Sequence, residues 1–331
     1  MEFSENRVYI LIEGQPNSLE IPFLKRVIGQ IIKRAQLPIY SDLIAVGGSQ
    51  AFNSMARLIY EQSHIHKKIP IVAITDRDFK TPQDIQRKQQ RDDKKLIQNK
   101  IVRELYWPRH EWENYLLEET ERLASICSQL PIKKSGQGSN PSKKQKLFKR
   151  KNIALSPTQL DTWLKEYFET QIKDELVECL KFRFNTDKIC PQLDNPKNDD
   201  TLDIAALKNW FLTPIDENCQ PEMRDRNIQE LDLRFQETLA ELDWETWLTN
   251  PSLLDFQQAK IHFRGKEAFQ DLFQKFQTEI GLVPDKKVTD FIKDVLLPEM
   301  EDRPDCLLIQ ALETMLLPYF ERVYQYQNPT G

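Results

Sequence analysis

The sequence predicts an α/β fold: a parallel four-stranded sheet with flanking helices, followed by a mostly α-helical C-terminal region. Three observations lead there. Short β-branched runs at 7–13, 38–46, 70–75 and 101–107 alternate with segments of helical periodicity, the pattern of βαβ units. The first and third runs are apolar almost throughout, as strands covered on both faces are, and each ends abruptly in acid. Only 9 glycines occur in 331 residues, and Leu, Lys, Glu and Gln dominate the second half, which favours helix over a loop-rich β fold.

Each element follows from its residues. Arg7-Val8-Tyr9-Ile10-Leu11-Ile12-Glu13 reads as the first strand, and Gly14 to Ser18 as a turn in which Asn17 or Ser18 caps the next helix. Ile21, Leu24, Val27, Ile28, Ile31 and Ile32 then recur at helical spacing through about Ala35. Residues 38–46 form the second strand, Gly47-Gly48-Ser49 a tight turn, and 50–61 a helix with Phe52, Met55, Ala56 and Ile59 on one side. The third strand, 70–75, precedes a polar helix over 82–100. The weaker fourth strand, 101–107, is broken by Pro108, and Trp112 opens another helix. Residues 133–151 hold eight Lys/Arg and no acid, with two Gly, three Ser and a Pro, the composition of a loop or linker. Helices follow at 157–182, 201–211, 224–248, 255–260, 267–278, 287–297 and 304–326, with loops at 183–200 and 212–223. The domain reading is a catalytic α/β domain over 1–130, a basic linker over 131–156 and a helical region over 157–331.

Composition narrows the function classes. The net charge of −5 sets up no global basic field, although a local basic groove is compatible with it. The five cysteines, at 127, 179, 190, 219 and 306, lack CxxC spacing, which argues against a zinc site or a disulfide framework and for a reduced, cytoplasmic setting. There is no leader-like N-terminus, no apolar run of membrane-spanning length and no GxxxxGK[ST] phosphate loop. No membrane partner is expected.

The acid-tipped strands carry the chemistry. If the first and third lie side by side, Glu13, Asp76 and Asp78 meet at the carboxyl edge of the sheet, where parallel sheets place their sites. Three carboxylates in one cleft repel and call for a counter-charge, most simply a divalent metal. Period-two alternation would return Asp78 to the side of Asp76.

Glu13-Gly14 after one strand and Asp76-Arg77-Asp78 after another resemble the Toprim signature. Trp112-Glu113-Asn114-Tyr115-Leu116 resembles the EIENYL stretch of OLD-like and stand-alone Toprim nucleases, and Phe263-Arg264-Gly265-Lys266 their later GK element. The four elements occur in the family's order, spanning residues 8 to 266, and the class matched is that of Toprim effectors lacking their own ATPase domain, as in PARIS-type phage defence. The family carries an Asp four residues after the motif Glu, where this chain has Asn17. The pattern from Glu20 to Phe23 resembles the family's D-x-x-F after a three-residue insertion, which aligns Glu20 with that Asp. The resemblance implies a nuclease acting on DNA or RNA, tRNA included, with Mg²⁺ or Mn²⁺, two ions, held by Glu13, Glu20, Asp76, Asp78 and Glu113. Glu13, Asp76, Asp78 and Lys266 would be catalytic, Lys266 neutralising the transition-state phosphate. It further implies a separate ABC-type ATPase as partner and is compatible with a homodimer.

Plainer readings stand beside these. The acids suit solvated turns at strand ends, Glu20 and Glu113 suit the first turn of a helix, and Lys266 suits a surface lysine. The basic run, with Lys143, Lys144, Lys146, Lys149 and Arg150, reads as a solvated loop or as a phosphate-contacting segment. His64, His66, His110 and His262 read as loop, core or surface residues rather than metal ligands, and Trp244 with Trp247 as core. The stripe Leu307, Leu308, Ala311, Leu312, Leu316 and Phe320 reads as core or as a contact with another chain. Two rival functions use the same acids: a catalytically degenerate scaffold or nucleic-acid-binding subunit of an ATPase complex, and a phosphotransferase, against which the missing phosphate loop weighs.

Overall fold

The computed structural model describes residues 7–15, 18, 20–62, 71–96, 102–130, 132–133, 147–148, 155–185, 203–212, 221–282 and 286–327. Asn17, His64, His66, Cys190, Cys219 and the cations Lys143, Lys144, Lys146, Lys149 and Arg150 lie outside the described residues. The chain forms two compact units, one of residues 1–160 with 265–331 and one of residues 161–264. The helical stretch is therefore divided, and Lys266 belongs to the unit that carries the sheet.

In that first unit, strands β1 (Arg7–Glu13), β2 (Tyr40–Val46), β3 (Ile71–Thr75) and β4 (Arg103–Tyr106) form one sheet in the order β2-β1-β3-β4. All three pairings are parallel. The β1–β3 register sets Ile12 beside Ile74, so Glu13 and Thr75 end their strands at the same level. Every residue of β3 is buried, as its unbroken apolar run requires. Alternation divides β1 between two faces: Tyr9 and Leu11 join Val46, Phe52, Ala56, Ile59, Ile71, Ala73 and Val102 in one core cluster, leaving Val8, Ile10 and Ile12, also buried, for the other.

Helix α1 (Glu20–Arg34) buries Phe23, Leu24, Val27, Ile28, Ile31 and Ile32, one stripe at 3.6-residue spacing, while the opposite face is charged. Helix α2 (Phe52–Gln62) follows a 3₁₀ turn at Ser49–Ala51, and α3 (Pro82–Leu96) begins at a proline, whose fixed φ suits a first helical position. After β4 come α4 (Asn114–Glu118) and α5 (Thr120–Gln129). Where the sequence reading placed only a loop or linker, a two-residue antiparallel pair, β5 (Ile132–Lys133) and β6 (Leu147–Phe148), links the start of the basic run to its later part. Helices α6 (Pro157–Asn185), α7 (Ile204–Leu212), α8 (Pro221–Glu241), α9 (Trp244–Thr249) and α10 (Phe256–His262) follow, with α6 starting at the boundary of the two units. In the second unit Trp244 stacks on Phe263, with ring centres 5.5 Å apart, so the expected tryptophan pair is core. The first unit resumes with α11 (Gly265–Lys275), α12 (Val288–Phe291), α13 (Leu297–Met300) and α14 (Leu307–Gln327). Leu308, Leu312, Leu316 and Phe320 of the C-terminal stripe are fully buried, and α14 packs against α1 and α4. Among the described residues no helix is long and apolar enough to cross a membrane.

Candidate functional site

At the carboxyl ends of β1 and β3 the first unit holds a cavity of about 610 Å³, lined by Glu13, Glu20, Asp76, Glu111, Glu113 and Lys266 among others. A larger cavity of about 720 Å³ beside α5 is lined by acids that partly pair within it, Arg122 bridging Glu119 and Asp305. Of these two, the smaller gathers acids from strand ends and loops.

The chain delivers each acid by a local device. Glu13 closes β1, and Thr75 at the end of β3 donates a hydrogen bond to its carboxylate at 3.2 Å. Gly14 then turns with φ of 138°, and a Cβ there would lie 3.0 Å from the Glu20 carboxylate and 3.1 Å from the Ser18 hydroxyl. Only glycine combines that backbone with so close an approach, and the turn thereby brings Glu20, the first residue of α1, to the cavity. The Ser18 hydroxyl is buried and makes no hydrogen bond among the described residues, so it does not cap α1 as the sequence suggested.

Asp76 lies one residue beyond β3, in a turn that is firmly braced. Arg77 is buried and donates to the Lys80 carbonyl at 2.8 Å and the Pro108 carbonyl at 3.1 Å. The Asp78 amide donates to the His110 carbonyl at 3.1 Å, and the Phe79 and His110 rings meet edge-on at 4.4 Å. These interactions tie the 76–80 turn to the loop after β4, which carries Glu111 and Glu113.

Asp78 takes a different path from the one expected. The strand ends at Thr75, so period-two alternation no longer governs residue 78, which adopts a left-handed φ of 50°. Its carboxylate accepts from Lys80 Nζ at 2.6 Å and is not part of the cavity wall. Glu113 precedes α4 and lines the cavity, as does Lys266 in the first turn of α11.

Glu111 is the residue the sequence reading missed. It lines the cavity, and its carboxylate accepts from the Lys266 amide at 2.9 Å. Its position two residues before Glu113 was the available signal.

Burial and mutual repulsion set the electrostatics. Asp76 is pushed up to about 8, first by burial and then by Glu111, Asp78, Glu13 and Glu20. Glu113 is raised well above the usual carboxylate range by burial, with Glu111 and Asp76 adding to it. Glu111 is raised by burial, against which the Lys266 amide hydrogen bond acts. The donors are all hard oxygens, the chemistry that suits Mg²⁺ or Mn²⁺. Among the described residues, however, no group of three or more His, Cys, Asp or Glu stands ready to hold a metal ion. The acids share a cavity without closing into a ligand set.

No protein-family model matches the chain, and neither the curated proteins nor the solved structures contain a match.

Proposed function

We propose that the chain is a metal-dependent, Toprim-type nuclease of the OLD-like kind lacking its own ATPase domain, cleaving phosphodiester bonds in DNA or RNA, tRNA included. One observation carries the reading: Glu13, Glu20, Asp76 and Glu113 converge with Lys266 on one cavity at the carboxyl edge of a parallel sheet. Proton affinities raised by burial, and further by neighbouring like charges, fit a site that takes up cations.

Glu13, Glu20, Asp76 and Glu113 would hold the metal, while Asp78, paired with Lys80, orders the turn that presents Asp76. When bound, two divalent ions supply charge neutralisation at the attacking and leaving oxygens of the phosphodiester. The remaining work belongs to the chain. Thr75 fixes the rotamer of Glu13 through its hydrogen bond. Glu13, at the end of β1, accepts a proton from an attacking water. Lys266 offsets negative charge on the phosphate as it builds in the transition state. The resemblance adds a phage-defence or toxin-like role, controlled by a separate ABC-type ATPase, with self-association on activation.

Incubating the protein with tRNA, single-stranded DNA and duplex DNA, with and without Mg²⁺ or Mn²⁺, tests the reading. Cleavage should require metal and should disappear in Glu13→Ala and Asp76→Ala, both variants remaining folded. Cleavage unchanged in both would refute it. A second reading, a catalytically degenerate nucleic-acid-binding or scaffold subunit, is favoured by the absence of a ready metal group among the described residues. Calorimetric titration separates the two, because a scaffold would take up neither Mg²⁺ nor Mn²⁺.

A further inference from the structure

Four residues from two distant parts of the first unit form a clasp. The Glu111 carboxylate accepts from the Lys266 amide at 2.9 Å, across 155 positions of sequence. The Glu111 amide donates to the Asn114 side-chain oxygen at 2.9 Å, and Asn114 is fully buried. Gly265 presses on Asn114 so closely that a Cβ would lie 2.5 Å from its side-chain oxygen and 2.6 Å from its backbone nitrogen. An amide in the first turn of α11 could be satisfied by water; here it is taken by a half-buried carboxylate from the loop between β4 and α4.

We propose that Glu111 is a positioning residue: its carboxylate anchors the first turn of α11 so that Lys266 is held at the cavity in register with Glu113. This rests on the nuclease reading for its consequence but not for its geometry. The loop 111–114 carries Glu113 to the cavity on one side and grips the backbone of Lys266 on the other. The Lys266 ammonium, four rotatable bonds away, is left to the cavity, while its amide is fixed. Misplacement of a charge-neutralising group by about 1 Å can cost on the order of a hundredfold in rate, so the anchor would be felt in turnover rather than in substrate binding. What the anchor needs is a hydrogen-bond acceptor at this place; the charge of Glu111 acts separately, on Asp76 and Glu113.

The test compares Glu111→Gln, which keeps an acceptor oxygen, with Glu111→Ala, which removes it. Hydrogen exchange at the Lys266 amide should be unchanged in Glu111→Gln and roughly 3- to 30-fold faster in Glu111→Ala, the range expected when an N-terminal cap is removed. In the cleavage assay Glu111→Ala should lose about tenfold or more in kcat with little change in KM, and Glu111→Gln should lose markedly less. If the two variants lose activity equally, charge at Glu111 is what matters and the proposal falls. It falls equally if exchange at Lys266 is untouched in Glu111→Ala. Should the wild-type chain cleave no substrate while exchange responds as stated, the anchor stands and the nuclease reading alone is overturned.

Discussion

Replacing Asp76 by an asparagine should make the metal-free protein less sensitive to rising pH. The sign follows from proton counting. Asp76 holds its proton up to about 8 in the folded chain, whereas an unfolded aspartate releases it near 3.9. Between those values the folded state binds more protons than the unfolded one, so stability falls as pH rises. The contribution is full below the unfolded value and lost as pH climbs through the folded one. Each retained proton costs ~1.36 kcal/mol per pH unit, so Asp76 alone removes about 3 kcal/mol between about pH 5 and about pH 7. That figure needs only a folded value above the window and an unfolded value below it. The amide of Asp76→Asn cannot ionise, so the variant should flatten the slope by that amount. Glu111 and Glu113 are shifted in the same direction and leave a residual slope. The assay is urea unfolding in the presence of a chelator, read by hydrogen exchange at the β3 amides so that the sheet-bearing unit is followed by itself. Parallel pH curves for wild type and Asp76→Asn would refute the reasoning. Excess Mg²⁺ should stabilise the wild type, by about 2.7 kcal/mol at a hundred times its Kd, and leave Asp76→Asn nearly unmoved.

Other consequences are more local. Gly265→Ala places a methyl group 2.5 Å from the Asn114 side chain and should destabilise the first unit by about 1–3 kcal/mol in denaturant titration. In the second unit the Glu175 carboxylate is buried and accepts from the Arg264 side chain at 2.7 Å and from its amide at 3.2 Å. Arg264→Ala strands that charge and should cost roughly 3–5 kcal/mol in the same measurement. Cys127, Cys179 and Cys306 are buried, with their thiols pushed up to about 12, 12 and 11, so none should react with a thiol reagent near neutral pH until the chain unfolds. Replacing Lys143, Lys144 and Lys146 by Ala should weaken nucleic-acid binding and lower its salt dependence, by about 0.9 in logarithmic slope for each duplex phosphate no longer neutralised. An unchanged slope would leave the basic run as a solvated loop.

The strands were legible because their signal is local. A run such as Ile71–Thr75 can be little other than a covered strand, and the α1 stripe declares its period within 15 residues. Glu13 and Asp76 were legible for the same reason, since each follows directly from where its strand stops. Asp78 was not, because the alternation argument needs the strand to continue and the chain leaves it at Thr75 for a left-handed turn. Glu111 was signalled only by its place two residues before Glu113, because its partner lies 155 residues away and an amide-accepting carboxylate leaves no periodic trace. The division of the helical stretch between two units was equally hidden, since composition does not change between Arg264 and Gly265.

The acidic cavity differs from the rest of the molecule in a way that bears on function. Elsewhere among the described residues shielded carboxylates are neutralised: Glu175 by Arg264, Glu118 by Arg109 and Glu119 by Arg122. Asp76 and Glu113 form no ion pair among the described residues, although burial raises both and the neighbouring acids raise them further. A buried acid without a cation costs stability, and selection for stability alone would replace it with an amide or an apolar side chain. The cost is concentrated where two strands end, in a cavity that Lys266 also lines, and it is maintained by the glycine turn at Gly14 and the braced turn at 76–80. Residues held in costly states by an over-determined surrounding structure are the pattern of a working site.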